Sequence, residues 1–313
     1  GQCSSDAEVS SGVPQGTVMG PLLFLLFIND LPSVINPTTK CRLFADDCLV
    51  YREIHSPEDQ TELQKDLDAL EQWATQWGLA FNTKKCNIMS VSRSMTPTTK
   101  LYQLNNTILD WVDSCTYLGL TLSSDMKWSS HITSCAKKAN ARLGFLRRNL
   151  KGCPQQLKRI AYISLVRSLM EYSSTIWDPH LTKDKNTLEA VQRRAARWIK
   201  LDYSSRASGT AILSELGLDE LSKRRQDQRL TLMYKVIHGL VNVQLEDLGL
   251  QQADTRTRAS HSHKLRQQRC TTTELCHSFT LRTTPEWNTL PASIAEAGTL
   301  EKFKGQLGVP QAV

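Results

Sequence analysis

The spacing of apolar residues changes once along this chain, near residue 129, and that change constrains the fold more than any other feature. Before it, short apolar runs alternate with turn residues. The runs at 79–82, 86–92, 101–104, 107–112 and 115–122 read as strands, with Asn105-Asn106 suited to a hairpin turn. After it, apolar residues recur at three- and four-residue steps. Ile132, Cys135, Ala139, Leu143 and Leu146 mark one helix face. Leu157, Ile160, Leu165, Leu169 and Tyr172 suggest a second, Leu188, Val191, Ala195 and Trp198 a third, and the stretch from Leu218 to Ile237 a fourth. The chain is therefore expected to be α+β, mixed to about residue 130 and helical beyond it.

Two helices are expected inside the mixed part. The apolar run Pro21–Ile28 is far shorter than the ~20 residues of a membrane span, so it predicts a buried element. Ser56 and Pro57 suit the N-cap and first position of a helix whose stripe is Leu63, Leu67, Leu70, Ala74 and Trp77, with Gly78 as its stop. Trp73, Trp77 and Trp198 read as core residues. Residues 251–273 are polar and read as a linker.

Charge divides the chain at the same place. Residues 1–130 carry 9 Lys/Arg and 15 Asp/Glu, net −6; residues 131–200 carry 15 and 4, net +11; residues 201–313 carry 14 and 12, net +2. Lys and Arg clustered on helices form the electrostatic footprint of a phosphate backbone, although solvated helix faces give the same count. The nine cysteines, an odd number with no C-x-x-C pair, do not read as a disulfide framework. They favour a reducing, intracellular setting, cytoplasm and nucleus. His261, His263, Cys270, Cys276 and His277 lack the short C-x₂-C spacing of structural zinc, so the reading there is a polar loop.

The chemistry centres on Asp46-Asp47. Two short apolar runs, Cys41–Ala45 and Cys48–Tyr51, flank this pair and predict a hairpin with both carboxylates at its tip. A structural turn explains such a pair. So does Mg²⁺, which takes one or two carboxylates together with substrate phosphate.

The surrounding motifs favour the second explanation. Ser11-Gly-Val-Pro-Gln-Gly16, Gly20-Pro-Leu-Leu-Phe24, Ile28-Asn-Asp-Leu-Pro32 and Phe44-Ala-Asp-Asp47 occur in that order. Trp77-Gly-Leu-Ala-Phe-Asn82 with Lys85-Cys86, and Tyr117-Leu-Gly119, follow. Farther along lie Glu171-Tyr-Ser173, Trp177-Asp-Pro179, Glu189-Ala-Val-Gln-Arg-Arg-Ala-Ala196 and Glu286-Trp-Asn288. Together they resemble the reverse transcriptases of non-LTR, LINE-type retrotransposons of the jockey-like kind, from the palm onward. Group II intron maturases share the Asp-Asp hairpin, but the Gly12–Leu31 stretch and the C-terminal motifs are more similar to the LINE-type family.

The resemblance implies a fold and a set of roles. The fold would be a partial right-hand polymerase palm over residues 1–130, a basic helical thumb-like region over 131–210, and a C-terminal helical region over 211–313. Asp46 and Asp47 would hold Mg²⁺ in a two-metal site, and Lys85, beside Lys84, would face the triphosphate of the incoming dNTP. Gly12, Pro14, Gln15 and Gly16 would lie against template and nucleotide. Tyr117, Leu118 and Gly119 would form the primer grip. Arg147, Arg148, Lys151, Arg193, Arg194 and Arg197 would meet the backbone of the RNA template–DNA primer duplex, and Arg142, Lys158 and Arg159 lie in the same basic region.

The resemblance also implies omissions. The family's first catalytic Asp lies well before the Gly12–Gly16 loop, and Asp6 is too close to that loop to replace it. The fingers and the endonuclease belong farther upstream still, and with Gly1 first and Met19 the first methionine, a longer reading frame is expected. The expected activity is RNA-directed DNA polymerisation, with the isolated chain inactive. The alternative is a non-enzymatic, decayed or domesticated fragment that at most binds nucleic acid.

Overall fold

Ser56 and Asp59 set the first long helix of the chain's described residues. The Asp59 carboxylate accepts hydrogen bonds from the main-chain N–H of His55 and Ser56, and Ser56 caps the first turn in return. With Pro57 at the first position, this box starts α2 (Pro57–Gln76). At the other end Gly78 adopts φ +68°, and Leu79 donates its N–H to the Ala74 carbonyl, closing the helix.

The computed structural model describes residues 16–92, 100–204, 208–254 and 261–308. It divides into two compact units, Gly1–Cys115 and Thr116–Val313. The first unit contains α1 (Met19–Ile28), the β1–β2 hairpin (Lys40–Phe44 and Asp47–Tyr51), α2, and the short strands β3 (Asn87–Ile88), β4 (Gln103–Leu104), β5 (Thr107–Ile108) and β6 (Asp110–Trp111). β1 pairs antiparallel with β2, β4 with β5, and β3 runs parallel to β6. Strand β7 (Ser114–Tyr117), in which the division falls, and β8 (Leu120–Ser123) form a further two-stranded sheet.

The core of the first unit comprises Ile28, Leu31, Ile35, Leu70, Trp73 and Ala74, with Phe24, Phe27, Cys41, Leu43, Cys48 and Val50 packed against it. Trp73 donates its indole N–H to Asp30 at 3.1 Å. Asp66, buried on α2, accepts from the main chain of Asn36 at 2.7 Å and from the Thr39 hydroxyl. The other side of α1 remains open, with Leu22, Leu23, Leu25 and Leu26 exposed, which corrects the expectation that the run Pro21–Ile28 is a buried element: one face alone meets the core.

Two expectations for this unit fail on local grounds. No strand forms at 79–82, because Leu79 is spent closing α2 and Asn82 leads into a 3₁₀ turn, Thr83–Lys85. Trp77, expected in the core, is half exposed at the end of α2, its ring 5.3 Å from that of Phe27. Asn105 and Asn106 do form the hairpin turn, both at positive φ (+48° and +55°), as a type I′ turn requires.

The second unit is helical after β8. It contains α3 (Ser129–Asn149), α4 (Gln155–Tyr162), α5 (Ser168–Glu171), α6 (Ser174–Trp177), α7 (Thr182–Lys200), α8 (Gly209–Glu215), α9 (Leu221–Ile237), and α10 to α13 (Thr273–Cys276, Phe279–Asn288, Ala292–Ala295 and Leu300–Gln306). The stripes read for α3 and α7 are both buried, in one cluster that reaches from Leu120 to Leu221. A second cluster joins α9 to α11 and α13 through Met233, Tyr234, Trp287 and Phe303.

The stripe read after α3 is on the wrong face. Leu157, Ile160, Leu165, Leu169 and Tyr172 are exposed, whereas Lys158, Tyr162, Val166 and Met170 are buried. A π-helical turn, Ile163–Arg167, joins α4 to α5. Tyr162, Val166 and Met170 follow one another at four-residue steps and share the face turned to the core.

No described helix is long and apolar enough to cross a membrane. Cys270 and Cys276 are joined as a disulfide. The sequence reading, a polar loop and no disulfide framework, did not single out this pair; the turn Thr272–Cys276 folds one sulfur back onto the other.

Candidate active site

Ladder register decides what the β1–β2 hairpin presents. Phe44 pairs with Asp47, leaving Ala45 and Asp46 as a two-residue turn. Ala45 sits at φ +52°, a position that hairpin turns of the II′ kind usually give to glycine. Alternation turns Cys41, Leu43, Cys48 and Val50 toward the core of the unit. Asp46 and Asp47 are exposed, and among the described residues neither side chain takes part in a hydrogen bond or an ion pair. An apolar base thus anchors a tip bearing two adjacent, unengaged carboxylates.

Those donors suit a hard divalent cation, since Mg²⁺ takes oxygen ligands and keeps several of its positions for water and phosphate. They do not by themselves make a closed site. Among the described residues no group of three or more His, Cys, Asp or Glu side chains is placed to hold a metal ion.

Behind the tip, the thiols of Cys41 and Cys48 are 3.5 Å apart. Their mutual hydrogen bond lowers the Cys41 pKa and raises that of Cys48, with burial pushing both upward.

The other expected site residues are placed as follows. Gly16 is exposed at φ +81°, while Gly12, Pro14 and Gln15 lie outside the described residues. Lys85 is exposed at the end of the 3₁₀ turn Thr83–Lys85. Leu118 and Gly119 make the two-residue turn between β7 and β8, at φ +47° and +79°. That turn is held by Tyr172, whose hydroxyl donates to the Leu118 carbonyl at 3.2 Å. The Tyr172 ring also lies 3.5 Å from where a Cβ on Gly119 would be.

The basic residues separate into two sets. Arg147, Arg148 and Lys151 are exposed around the C-terminus of α3, where they also complement its dipole. On α7, Arg193 and Arg194 are exposed, Arg197 is half-buried, and Arg194 bonds to Asn140 of α3. Lys158 is different: it is buried, with its ammonium 5.9 Å from the centre of the Trp198 ring. Arg159 donates Nε to the Leu216 carbonyl at 2.8 Å. These two side chains hold the fold.

A larger constellation was not expected from the sequence. Asp178 is buried and accepts from Arg225 Nε at 2.7 Å and Arg229 Nε at 3.0 Å, with Arg282 paired at 3.2 Å. Arg229 also pairs with Glu286 at 2.9 Å. Glu171 binds Arg224, and the Glu189 carboxylate accepts the Ser222 N–H in the first turn of α9 at 3.0 Å. Burial raises the Glu189 pKa. The quoted motifs Glu171–Ser173, Trp177–Pro179 and Glu286–Asn288 were the available signal, without anything to say that they meet.

The loop histidines disperse. His261 Nε2 lies 3.2 Å from the Trp287 carbonyl oxygen, His263 faces His238, and His277 stacks on His180 with ring centres 3.9 Å apart.

Residues 2–122, which include the hairpin, match the sequence model of the family described as Reverse transcriptase (RNA-dependent DNA polymerase), so that part of the chain is similar to that family. The chain is 29% identical over 225 residues to the probable RNA-directed DNA polymerase from transposon BS of Drosophila melanogaster, covering 68% of this chain and 25% of that protein. It is also 29% identical over 215 residues to the RNA-directed DNA polymerase from mobile element jockey of the same fly, covering 64% and 23%. The putative 115 kDa protein in its type-1 retrotransposable element R1DM is 29% identical over 223 residues, covering 68% and 21%. The chain thus spans about a quarter of the length of these relatives. No solved structure matches it.

Proposed function

We propose that this chain supplies part of an RNA-directed DNA polymerase that extends a DNA primer on an RNA template. The observation that carries this is the β1–β2 hairpin, whose packed base holds Asp46 and Asp47 exposed and unengaged at the tip. Asp46 and Asp47 would hold Mg²⁺, and in two-metal nucleotidyl transfer such ions activate the attacking oxygen and stabilise the leaving one. Lys85 would offset the charge of the triphosphate, and Gly12–Gly16 would let the backbone approach template and nucleotide. Residues 1–130 would be the palm portion, with the primer grip at Tyr117–Gly119. The helices carrying Arg147, Arg148, Lys151, Arg193, Arg194 and Arg197 would be the thumb, gripping the duplex through phosphates. Work on element RNA and nicked DNA would place the protein in cytoplasm and nucleus.

A second reading has its own observation. The described residues bring together only two acidic groups at the tip, which favours a chain that binds the duplex without copying it. One experiment separates the two: RNA-templated primer extension with Mg²⁺, run beside duplex binding, for the chain and for Asp46→Ala. Extension by the chain but not by Asp46→Ala supports the polymerase. Salt-sensitive binding without extension supports the binding fragment. Extension that survives Asp46→Ala refutes the role given to the hairpin, and absence of binding refutes both readings.

A further inference from the structure

The base of the hairpin holds a chemistry that the polymerase reading does not use. Register pairs Cys41 with Val50 and Leu43 with Cys48, so Cys41 and Cys48 are diagonal neighbours on the same face of the ladder. Their sulfurs are 3.5 Å apart, and both side chains are half-buried against the unit's core. A disulfide needs about 2.0 Å between sulfurs and Cα atoms within about 7 Å, a span that diagonal neighbours approach. Side-chain rotation with a small closing of the two strands completes it. Other described thiols are engaged differently. Cys86 donates to the Asn82 carbonyl at 3.4 Å, and the buried Cys135 to the Leu169 carbonyl at 3.1 Å.

We propose that Cys41 and Cys48 form a thiol-oxidation site that reacts with a hydroperoxide-class oxidant and closes to a disulfide. A thiolate of the pair attacks one peroxide oxygen, the O–O bond breaks, and a sulfenic acid and hydroxide result. The second thiol attacks the sulfenic sulfur, the S–S bond forms, and the oxygen leaves as water once it takes up the second thiol's proton. Two electrons pass from the thiols to the peroxide, which ends as two molecules of water after hydroxide is protonated. Because the second sulfur already lies against the first, capture is intramolecular and outruns further oxidation. The site stands whether or not the chain polymerises DNA.

The test is peptide mapping of the full chain after one equivalent of hydrogen peroxide, with free thiols blocked and no reductant. Trypsin releases Cys41-Arg42 and Leu43–Arg52 separately, so the disulfide appears as one linked peptide that dithiothreitol splits. The expected result is that this peptide forms first among the free thiols. In Cys48→Ser, the Cys41 sulfenic acid trapped by dimedone should rise about tenfold or more, since its intramolecular partner is gone. Even oxidation across Cys41, Cys86, Cys115 and Cys153 without the linked peptide would overturn the proposal. So would unchanged trapping at Cys41 in Cys48→Ser. The wild-type map decides the matter even if a variant folds poorly.

Discussion

Replacing Asp178 by Asn tests whether the second unit is tied together by one buried charge. The side chain of Asp178 is 4% exposed, that of Arg225 0% and that of Arg229 2%. Arg225 depends on it entirely among the described residues, because its two terminal nitrogens are buried without a hydrogen-bond partner. Arg229 keeps Glu286 and Thr283, and Arg282, 18% exposed, keeps the main-chain carbonyls of Asp178 and Pro179. Asn preserves the shape but removes the charge, leaving at least one guanidinium buried and unpaired. Breaking a buried pair in this way costs about 3–5 kcal/mol. For a unit of this size that is a fall in Tm of about 6–20 °C, at about 2–4 °C per kcal/mol.

Urea and thermal unfolding of the full chain measure it. Trp177, fully buried next to Asp178 in sequence and 5.2 Å from the His131 ring, reports the relevant transition by fluorescence. Arg282→Ala, which removes the most exposed of the three partners, should cost only about 1 kcal/mol. A loss below about 1 kcal/mol for Asp178→Asn would refute the reasoning, because no buried charge could then have been stranded.

Other expectations can be checked alongside. Burial lowers the pKa of His131, His180, His238, His261 and His277, so the unfolded state takes up protons first on acidification. Stability of the second unit should therefore fall as pH drops below about 6.5, and His277→Phe should flatten the fall; a Tm that is flat or rises between pH 7.5 and 5.5 would contradict this. Ala45→Gly, at φ +52°, should raise the stability of the first unit by about 1 kcal/mol in urea unfolding, and a loss would mean that the turn is misread. Changing Arg147, Arg148 and Lys151 together to Ala should reduce the salt slope of RNA–DNA duplex binding by up to about 2.7, at about 0.9 per phosphate contact. Fluorescence anisotropy across a salt series reads this, and an unchanged slope would remove those residues from the interface.

Where local chemistry decides structure, the sequence was legible. The helix start at Ser56 and Pro57, the stop at Gly78, the Asn105-Asn106 turn and the stripes of α3 and α7 all follow from short-range rules. The hairpin carrying Asp46 and Asp47 was legible for the same reason. What failed depends on tertiary partners. The stretch from Leu157 to Tyr172 is apolar on two faces, so periodicity alone could not choose between them, and the π turn at Ile163–Arg167 leaves no mark in composition. Cys270 and Cys276 could not be paired from the parity of the cysteines. The partners of Asp178 lie 47, 51 and 104 positions away, beyond any pattern a window can show.

The motifs downstream of the hairpin take on a different meaning once those partners are known. Glu171, Trp177, Asp178, Glu189 and Glu286 carry much of the resemblance in the second unit, yet each is occupied inside the fold. Glu171 binds Arg224, Trp177 donates to the Tyr172 carbonyl at 2.8 Å, and Glu189 binds the first turn of α9. Their chemistry is spent on holding α6, α7, α9 and α11 in one arrangement. Tyr172, exposed, is different: it reaches the Leu118–Gly119 turn that would form the primer grip. Among the described residues, the tip carboxylates, Lys85 and the exposed Arg147, Arg148, Lys151 and Arg193 are left to meet a ligand. Substituting a framework residue such as Asp178 should weaken binding and stability together. Substituting Arg193 should weaken duplex binding while the unfolding transition stays where it was. If Arg193→Ala instead unfolded the chain, or Asp178→Asn weakened binding without changing stability, the division into framework and contact residues would be wrong.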